Sequence, residues 1–209
     1  MAAASVPVGE KLEFFFCLAK QWNAIALNHG NSIPKGRLEN AAVQLLAPSY
    51  SIAFAIETLL QERHLFGAEL LLRPLIERVA VLNYLAAEGE PALDLWERGW
   101  DKNSPSLSKL VEYVPNLQDS TSEPESQISM GEFRRKTLKR LHKIVHADPF
   151  GSLRCLAPTD DGYRMVSGPM MNNPVRYDEV ATDTIIFISA LLKVTERVFP
   201  GANWPDKWV

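Results

Sequence analysis

The segment from Leu65 to Ala87 is apolar along almost its whole length. As a helix it would be apolar on nearly every side, and such a helix is normally buried in the middle of a helical domain. Its charges are ordered, because Glu69, Arg73 and Glu77 recur at four-residue spacing and therefore share one face. The segment predicts a central helix that carries one charged stripe and is surrounded by other helices.

Helical spacing of apolar residues predicts further helices along the chain. Two prolines, Pro48 and Pro74, fall inside predicted helices, and each removes a backbone donor. We expect a kink or a break at Pro48 and a kink at Pro74. Besides the central helix, the predicted helices are Val8 to Asn28, Arg37 to Arg63, Pro91 to Trp100, Leu107 to Val114, Ser129 to His146 and Tyr177 to Val198.

Residues 150–176 depart from helical patterning, because glycine and proline are frequent there. Two short segments, Leu153 to Ala157 and Tyr163 to Val166, are joined through Asp-Asp-Gly at 160–162, a composition typical of hairpin turns. The pattern predicts either one short β-hairpin or a structured loop.

The remaining segments complete the predicted architecture. Residues 116–127 are polar, acidic and rich in serine, which predicts a mobile loop. The tail 199–209 carries Trp204 and Trp208, which we expect to pack on the bundle. Without an internal repeat or a second core, residues 1–209 are predicted to form a single domain. The predicted fold class is all-α, an antiparallel helical bundle with a kinked central helix and one irregular insertion.

Composition limits the classes of function. The 209 residues carry a formal net charge of −3, so any contact with nucleic acid must be local. Cys17 and Cys155 lack ligand-like spacing, which argues against a cysteine-built metal site and suits a reducing compartment. No signal peptide is recognised, and the longest uncharged stretch, Asn40 to Ile56, falls short of the roughly 20 apolar residues of a spanning helix. We therefore expect a cytoplasmic protein that does not contact a membrane.

The predicted helix from Ser129 to His146 offers the most informative surface. At about 100° per residue, its apolar residues share one side and a basic set shares another. We call this set the basic face; it consists of Arg135, Lys139, His142 and His146. Arg140 and Lys143 extend the positive charge to the flanks of this face.

The basic face has three interpretations. It would bind and cleave RNA without a metal, because arginine grips phosphate in a fixed fork and histidine transfers protons near neutral pH. It would alternatively be the solvated side of an amphipathic helix. His142 and His146, at i and i+4, would also suit a metal. No nearby carboxylate completes that ligand set, and no glycine-rich cofactor loop is present, so no metal or other cofactor is predicted.

These residues resemble a motif of the HEPN superfamily of helical proteins (higher eukaryotes and prokaryotes nucleotide-binding), in which an arginine precedes a histidine by four to six intervening residues on a late helix. Arg140 and His146 have five intervening residues, and Arg135 and His142 have six. The segment LHKIVHADP is similar to a Leu-x-x-x-Val-His segment of a mostly bacterial helical family. An earlier Arg-x-Leu-x-Glu segment of that family is similar to residues 73–77.

The resemblance implies an all-α fold, ribonuclease activity, and a homodimer that brings two copies of the motif together. It also implies a toxin or defence role. By match, His146 is the catalytic histidine and Arg140 its partner, whereas on straight helix geometry Arg135 is the better partner. The other candidates are His142 for catalysis, and Lys139 and Lys143 for binding RNA.

The charged stripe of the central helix has two compatible interpretations. Glu69 and Glu77 would orient a histidine of the basic face, or Arg73 is the paired charge that a buried apolar helix requires. In both cases we expect the stripe to face polar partners on the helix that carries the basic face.

Two other functions are consistent with the sequence. A small ligand would bind beneath the kink at Pro74, or a non-enzymatic helical module would bind a protein partner through exposed tryptophans. The tryptophans available for such a surface are Trp96, Trp100, Trp204 and Trp208.

Overall fold

A computed structural model describes residues 8–32, 36–100, 102, 104–114, 130–146, 156–165 and 174–204. In these ranges the chain forms seven α-helices, a short 3₁₀ turn at Val111–Tyr113 and one two-stranded sheet. The helices pack against one another, which confirms the all-α bundle. The elements are α1 Val8–Ser32, α2 Arg37–Gln61, α3 Leu65–Glu88, α4 Glu90–Glu97, α5 Leu107–Leu110, α6 Met130–Val145, β1 Leu156–Thr159, β2 Gly162–Met165 and α7 Pro174–Val198.

The helix α3 lies at the centre, as its apolar pattern predicts. It packs against α2, α4, α5, α6 and α7. Leu72, Leu75, Ile76 and Val79 are fully buried in one hydrophobic core that also includes residues of α1, α2 and α7. Truncating such a leucine or isoleucine to alanine costs about 2–5 kcal/mol, so α3 is the element on which the other helices depend.

Both internal prolines lie within continuous helices. The helix α2 runs unbroken through Pro48, which excludes the predicted break there, and α3 runs through Pro74. The guanidinium of Arg78 donates a hydrogen bond to the carbonyl of Pro74 (3.0 Å). The helix α7 begins at Pro174, three residues before the predicted start at Tyr177, because a proline is favourable in the first turn of a helix.

The irregular insertion contains a short β-hairpin, one of the two structures predicted for it. The strands β1 and β2 pair antiparallel, with Leu156 opposite Met165 and Thr159 opposite Gly162. Gly162 has a φ of 141°, which a residue with a side chain rarely adopts and which explains a glycine at this turn. The strand β1 lies two to three residues later than its predicted segment, and β2 lies one residue earlier than its own.

The C-terminal segment packs back on the bundle through Trp204. Its indole ring stacks on Trp22 of α1 with 4.6 Å between ring centroids, and its N–H donates to the carbonyl of Phe199 (2.9 Å). The predicted mobile loop at 116–127 and the predicted contact of Trp208 lie outside the described residues.

The helix α2 has the length and composition to cross a membrane, with a mean hydropathy of 1.4 over its most apolar window. Core helices of soluble proteins share this property. In this structure α2 packs against α1, α3 and α7. The cytoplasmic location and the absence of a membrane contact stay predictions.

Candidate functional site

The helix α6 is amphipathic, as its spacing predicts. Leu141 and Ile144 are buried against the bundle, together with the hydroxyl-bearing Thr137. The opposite side carries the four residues of the basic face, and all four side chains are exposed. The sequence therefore places a positive surface on a helix that is fixed to the core by its other side.

The two histidines of the basic face form a pair at its C-terminal end. The ring centroids of His142 and His146 lie 4.3 Å apart. On α3, Arg73 approaches the pair, with 3.5 Å between a terminal guanidinium nitrogen and Nδ1 of His142. Arginine only donates, so a hydrogen bond between these two nitrogens has Nδ1 of His142 as its acceptor. The predicted polar contact between the charged stripe and α6 is thus confirmed for Arg73.

Arg140 faces α7 instead of the histidines. Its guanidinium donates to Glu179 Oε2 (2.6 Å) and to Asp183 Oδ2 (2.5 Å). The side chain is 16% exposed, and Nε is buried without a hydrogen-bond partner among the described residues. The arginine that the family resemblance pairs with His146 is therefore held by carboxylates on the far flank of α6.

Asp183 is the buried end of this cluster, with a side chain only 2% exposed. The hydroxyl of Thr137 lies 3.4 Å from both carboxylate oxygens. Burial raises the pKa of Asp183 to about 6, and the charge and hydrogen bonds of Arg140 and Thr137 oppose the rise. At neutral pH the group is mostly ionised, so α6 and α7 are joined by a buried ion pair.

A second buried ion pair joins α3 to α7. Nε of Arg176 donates to Glu69 Oε1 (2.9 Å), and a terminal nitrogen contacts Glu69 Oε2. Both residues are buried, and burial lowers the pKa of Arg176 to about 10. The sequence favoured a partner on α6 for the charged stripe, but Glu69 pairs with α7 because Arg176 enters the bundle beside it.

The predicted site residues therefore fall into separate groups. Arg73, His142 and His146 are brought together. Arg135 shares the basic face but lies eleven residues before His146, or about 16 Å along the axis at 1.5 Å per residue. Arg140 is turned toward α7. Of the others, Glu77 and Lys139 are exposed, Lys143 is half-buried and Glu69 is buried.

Sequence reasoning missed the residues of α7 that fix this arrangement, above all Asp183. A signal for it exists in the sequence. Asp183 follows Val180 by three residues and precedes Phe187 by four, so it lies on the apolar stripe of α7. A carboxylate on such a stripe requires a cationic partner, and α6 is the predicted helix richest in cations.

Metal binding gains no support from the described residues. His142 and His146 supply two nitrogens, but no group of three or more His, Cys, Asp or Glu side chains within the described ranges could hold an ion. Zinc sites in proteins use three or four such ligands.

The described tryptophans that were predicted to bind a protein partner differ in exposure. Trp96 is half-buried and Trp204 packs on the bundle, whereas Trp100 is 41% exposed. An apolar cavity of about 20 Å³ lies between α1, α2 and α7, away from Pro74. It has room for about one water molecule. Binding of a protein partner stays a prediction.

Comparisons of the chain with protein-family models, with curated proteins and with solved structures find no match. The resemblance to the HEPN superfamily stays a prediction from the motifs around Arg140 and His146. A functional assignment must therefore come from the surface chemistry of α6 and its neighbours.

Proposed function

We propose that the basic face binds the phosphate backbone of RNA and that its histidine pair cleaves the strand without a metal ion. The observation that carries this proposal is the adjacent pair of His142 and His146, whose ring centroids lie 4.3 Å apart, beside the guanidinium of Arg73. Arg135 and Lys139 continue the positive surface along the helix, exposed and one turn apart. Exposed cations in a row suit a ligand with repeated negative charges.

In this proposal His146 acts as the general base, and Arg73 and His142 act as hydrogen-bond donors to the phosphate. His146, at the open end of the pair, would take the proton from a ribose 2′-hydroxyl. The 2′-oxygen would then form a bond to phosphorus, the bond from phosphorus to the 5′-oxygen would break, and the leaving oxygen would take a proton from water. Arg73 and Nε2–H of His142 would donate to the phosphate oxygens on which negative charge develops. The products would be a 2′,3′-cyclic phosphate and a 5′-hydroxyl.

The resemblance to the HEPN superfamily adds two further proposals, a homodimer and a toxin or defence role. A homodimer would bring two basic faces together, and sedimentation measures that directly. A toxin or defence role would follow from RNA cleavage in a cell. The local character of the positive surface agrees with the net charge of −3, because binding would depend on one face and would weaken with salt.

The test is cleavage of total RNA in the presence of a chelator by wild type, His146→Ala and His64→Ala. His64 is exposed in the link between α2 and α3, and is the matched control for loss of one surface histidine. Wild type and His64→Ala should give fragments that end in cyclic phosphate. Loss of a general base costs about 10²–10⁴-fold in rate, so His146→Ala should be slower by that factor. Equal fragmentation by all three proteins, or none by any, would refute the cleavage.

A further inference from the structure

We infer that Glu179 is an internal competitor for RNA, because its carboxylate occupies the position on Arg140 that a phosphate of the bound strand would take. The inference rests on the proposed function and concerns how the same surface is regulated. Arg140 is the cation that α6 directs toward α7, and in this structure its terminal nitrogens are both engaged by carboxylates.

The two carboxylates on Arg140 are not equivalent. Asp183 is 2% exposed and lies beside the hydroxyl of Thr137, whereas the side chain of Glu179 is 52% exposed. An ion pair open to water is screened and contributes little, but one partner of a buried pair cannot leave without stranding a charge. Asp183 therefore anchors one nitrogen of Arg140, and the contact with Glu179 is the one that another anion can replace.

The incoming anion would be a phosphodiester of single-stranded RNA. A phosphate presents the same charge as a carboxylate and accepts hydrogen bonds from arginine in the same fork geometry. Arg140 lies about 9 Å from His146 along the axis and about 120° around it. It would thus hold a phosphate that flanks the scissile one, and Glu179 would lower the affinity for RNA by holding that position.

The probe is a fluorescein-labelled single-stranded RNA with 2′-O-methyl riboses, which binds but cannot be cleaved. Binding by anisotropy is compared among wild type, Glu179→Gln and Asp178→Asn. Asp178 is the exposed neighbour of Glu179 on α7, so its substitution makes the same change in net charge. Release of an exposed ion pair corresponds to roughly a two- to fivefold gain in affinity. Glu179→Gln should gain that factor beyond Asp178→Asn.

The salt dependence of binding identifies the new contact. Each phosphate contact to a single strand adds about 0.7 to the slope of log affinity against log salt, so the slope of Glu179→Gln should be steeper by that amount. Adding Arg140→Gln to Glu179→Gln should abolish the gain in affinity, and circular dichroism checks that this double variant is folded. If the double variant does not fold, the salt slope of Glu179→Gln decides whether a new phosphate contact forms. Equal affinity and slope for Glu179→Gln and Asp178→Asn, with RNA still bound, would overturn this inference alone. Binding of the probe by none of the proteins would overturn the proposed function with it.

Discussion

Among the described residues, two clusters of one arginine with several carboxylates join helices, and they differ in their access to water. Arg37, at the start of α2, is 39% exposed, whereas Arg140 is 16% exposed. The carboxylates around Arg37 are 44–68% exposed, but Asp183 beside Arg140 is 2% exposed. The partners of Arg37 are Glu90, Asp94 and Glu97, and those of Arg140 are Glu179 and Asp183.

Because of this difference in exposure, the pKa of a carboxylate beside the arginine shifts in opposite directions in the two clusters. The hydrogen bond from Arg37 lowers the pKa of Glu97, so the stability from this pair is lost as the pH falls through that lowered pKa. Burial raises the pKa of Asp183 above 3.8, its ordinary value, although Arg140 is adjacent. At Asp183 the cost of burying the charge exceeds the attraction of Arg140, so the pKa rises. At Glu97 the carboxylate stays in water, so the hydrogen bond from Arg37 decides the direction and the pKa falls. A buried charge is costly, so the carboxylate of Asp183 depends on Arg140 and Thr137 more than the exposed carboxylates depend on Arg37.

The largest effect is expected at the other buried ion pair on α7, between Arg176 and Glu69, which is more enclosed than either cluster. Glu69→Gln removes the carboxylate charge that the buried guanidinium of Arg176 contacts directly, and breaking a buried ion pair in this way typically costs 3–5 kcal/mol. The free energy of unfolding, from urea denaturation followed by circular dichroism, measures the loss. Glu77→Gln is the matched control, because Glu77 lies on the same helix face but is exposed. Equal loss in the two variants would show that burial is not the cause.

A second effect concerns pH. The pKa of Asp183 is about 6 in the folded protein and near 3.8 in the unfolded chain, so between these values the folded state holds a proton that the unfolded state lacks. Stability from this group is full below pH 3.8 and is lost as the pH rises through 6, by about 1.4 kcal/mol for each unit of pKa shift. Asp183→Asn should remove that slope from urea midpoints measured between pH 4 and 7. Asp178→Asn should retain it, and an unchanged slope in Asp183→Asn would contradict the assignment.

The sequence predicts the helices well because burial and helical period leave a local pattern. The span of α3 was predicted to within one residue at its end, and the hairpin at 160–162 was an explicit alternative. The start of α7 was missed by three residues because Tyr177 opens the apolar run, whereas the helix already begins at Pro174. Local patterns show which residues repeat, but they do not fix how far a helix extends beyond its apolar run.

The site was predicted only in part, since its contacts cross between distant elements. The basic face was found from one helix, and the contact between Arg73 and His142 followed the expected stripe. The partner of Glu69 lies 107 residues later in the chain, and nothing local identifies it. The direction of Arg140 depends equally on where α7 packs. Such pairs require the tertiary arrangement.

The smallest effect is expected at the exposed cluster. Arg37→Gln should change the urea midpoint less than either buried substitution, because water and salt screen the charges that remain around it. The substitution should instead change the pKa of a carboxylate that contacts Arg37. The pKa of Glu97, followed by NMR titration of its side chain, should rise toward the ordinary value once the hydrogen bond from Arg37 is removed. Lys20→Gln, at an exposed position on α1, should leave that pKa where it is. If Arg37→Gln instead destabilised the protein as much as Glu69→Gln, exposure to water would not explain the difference between the cluster around Arg37 and the buried ion pairs on α7.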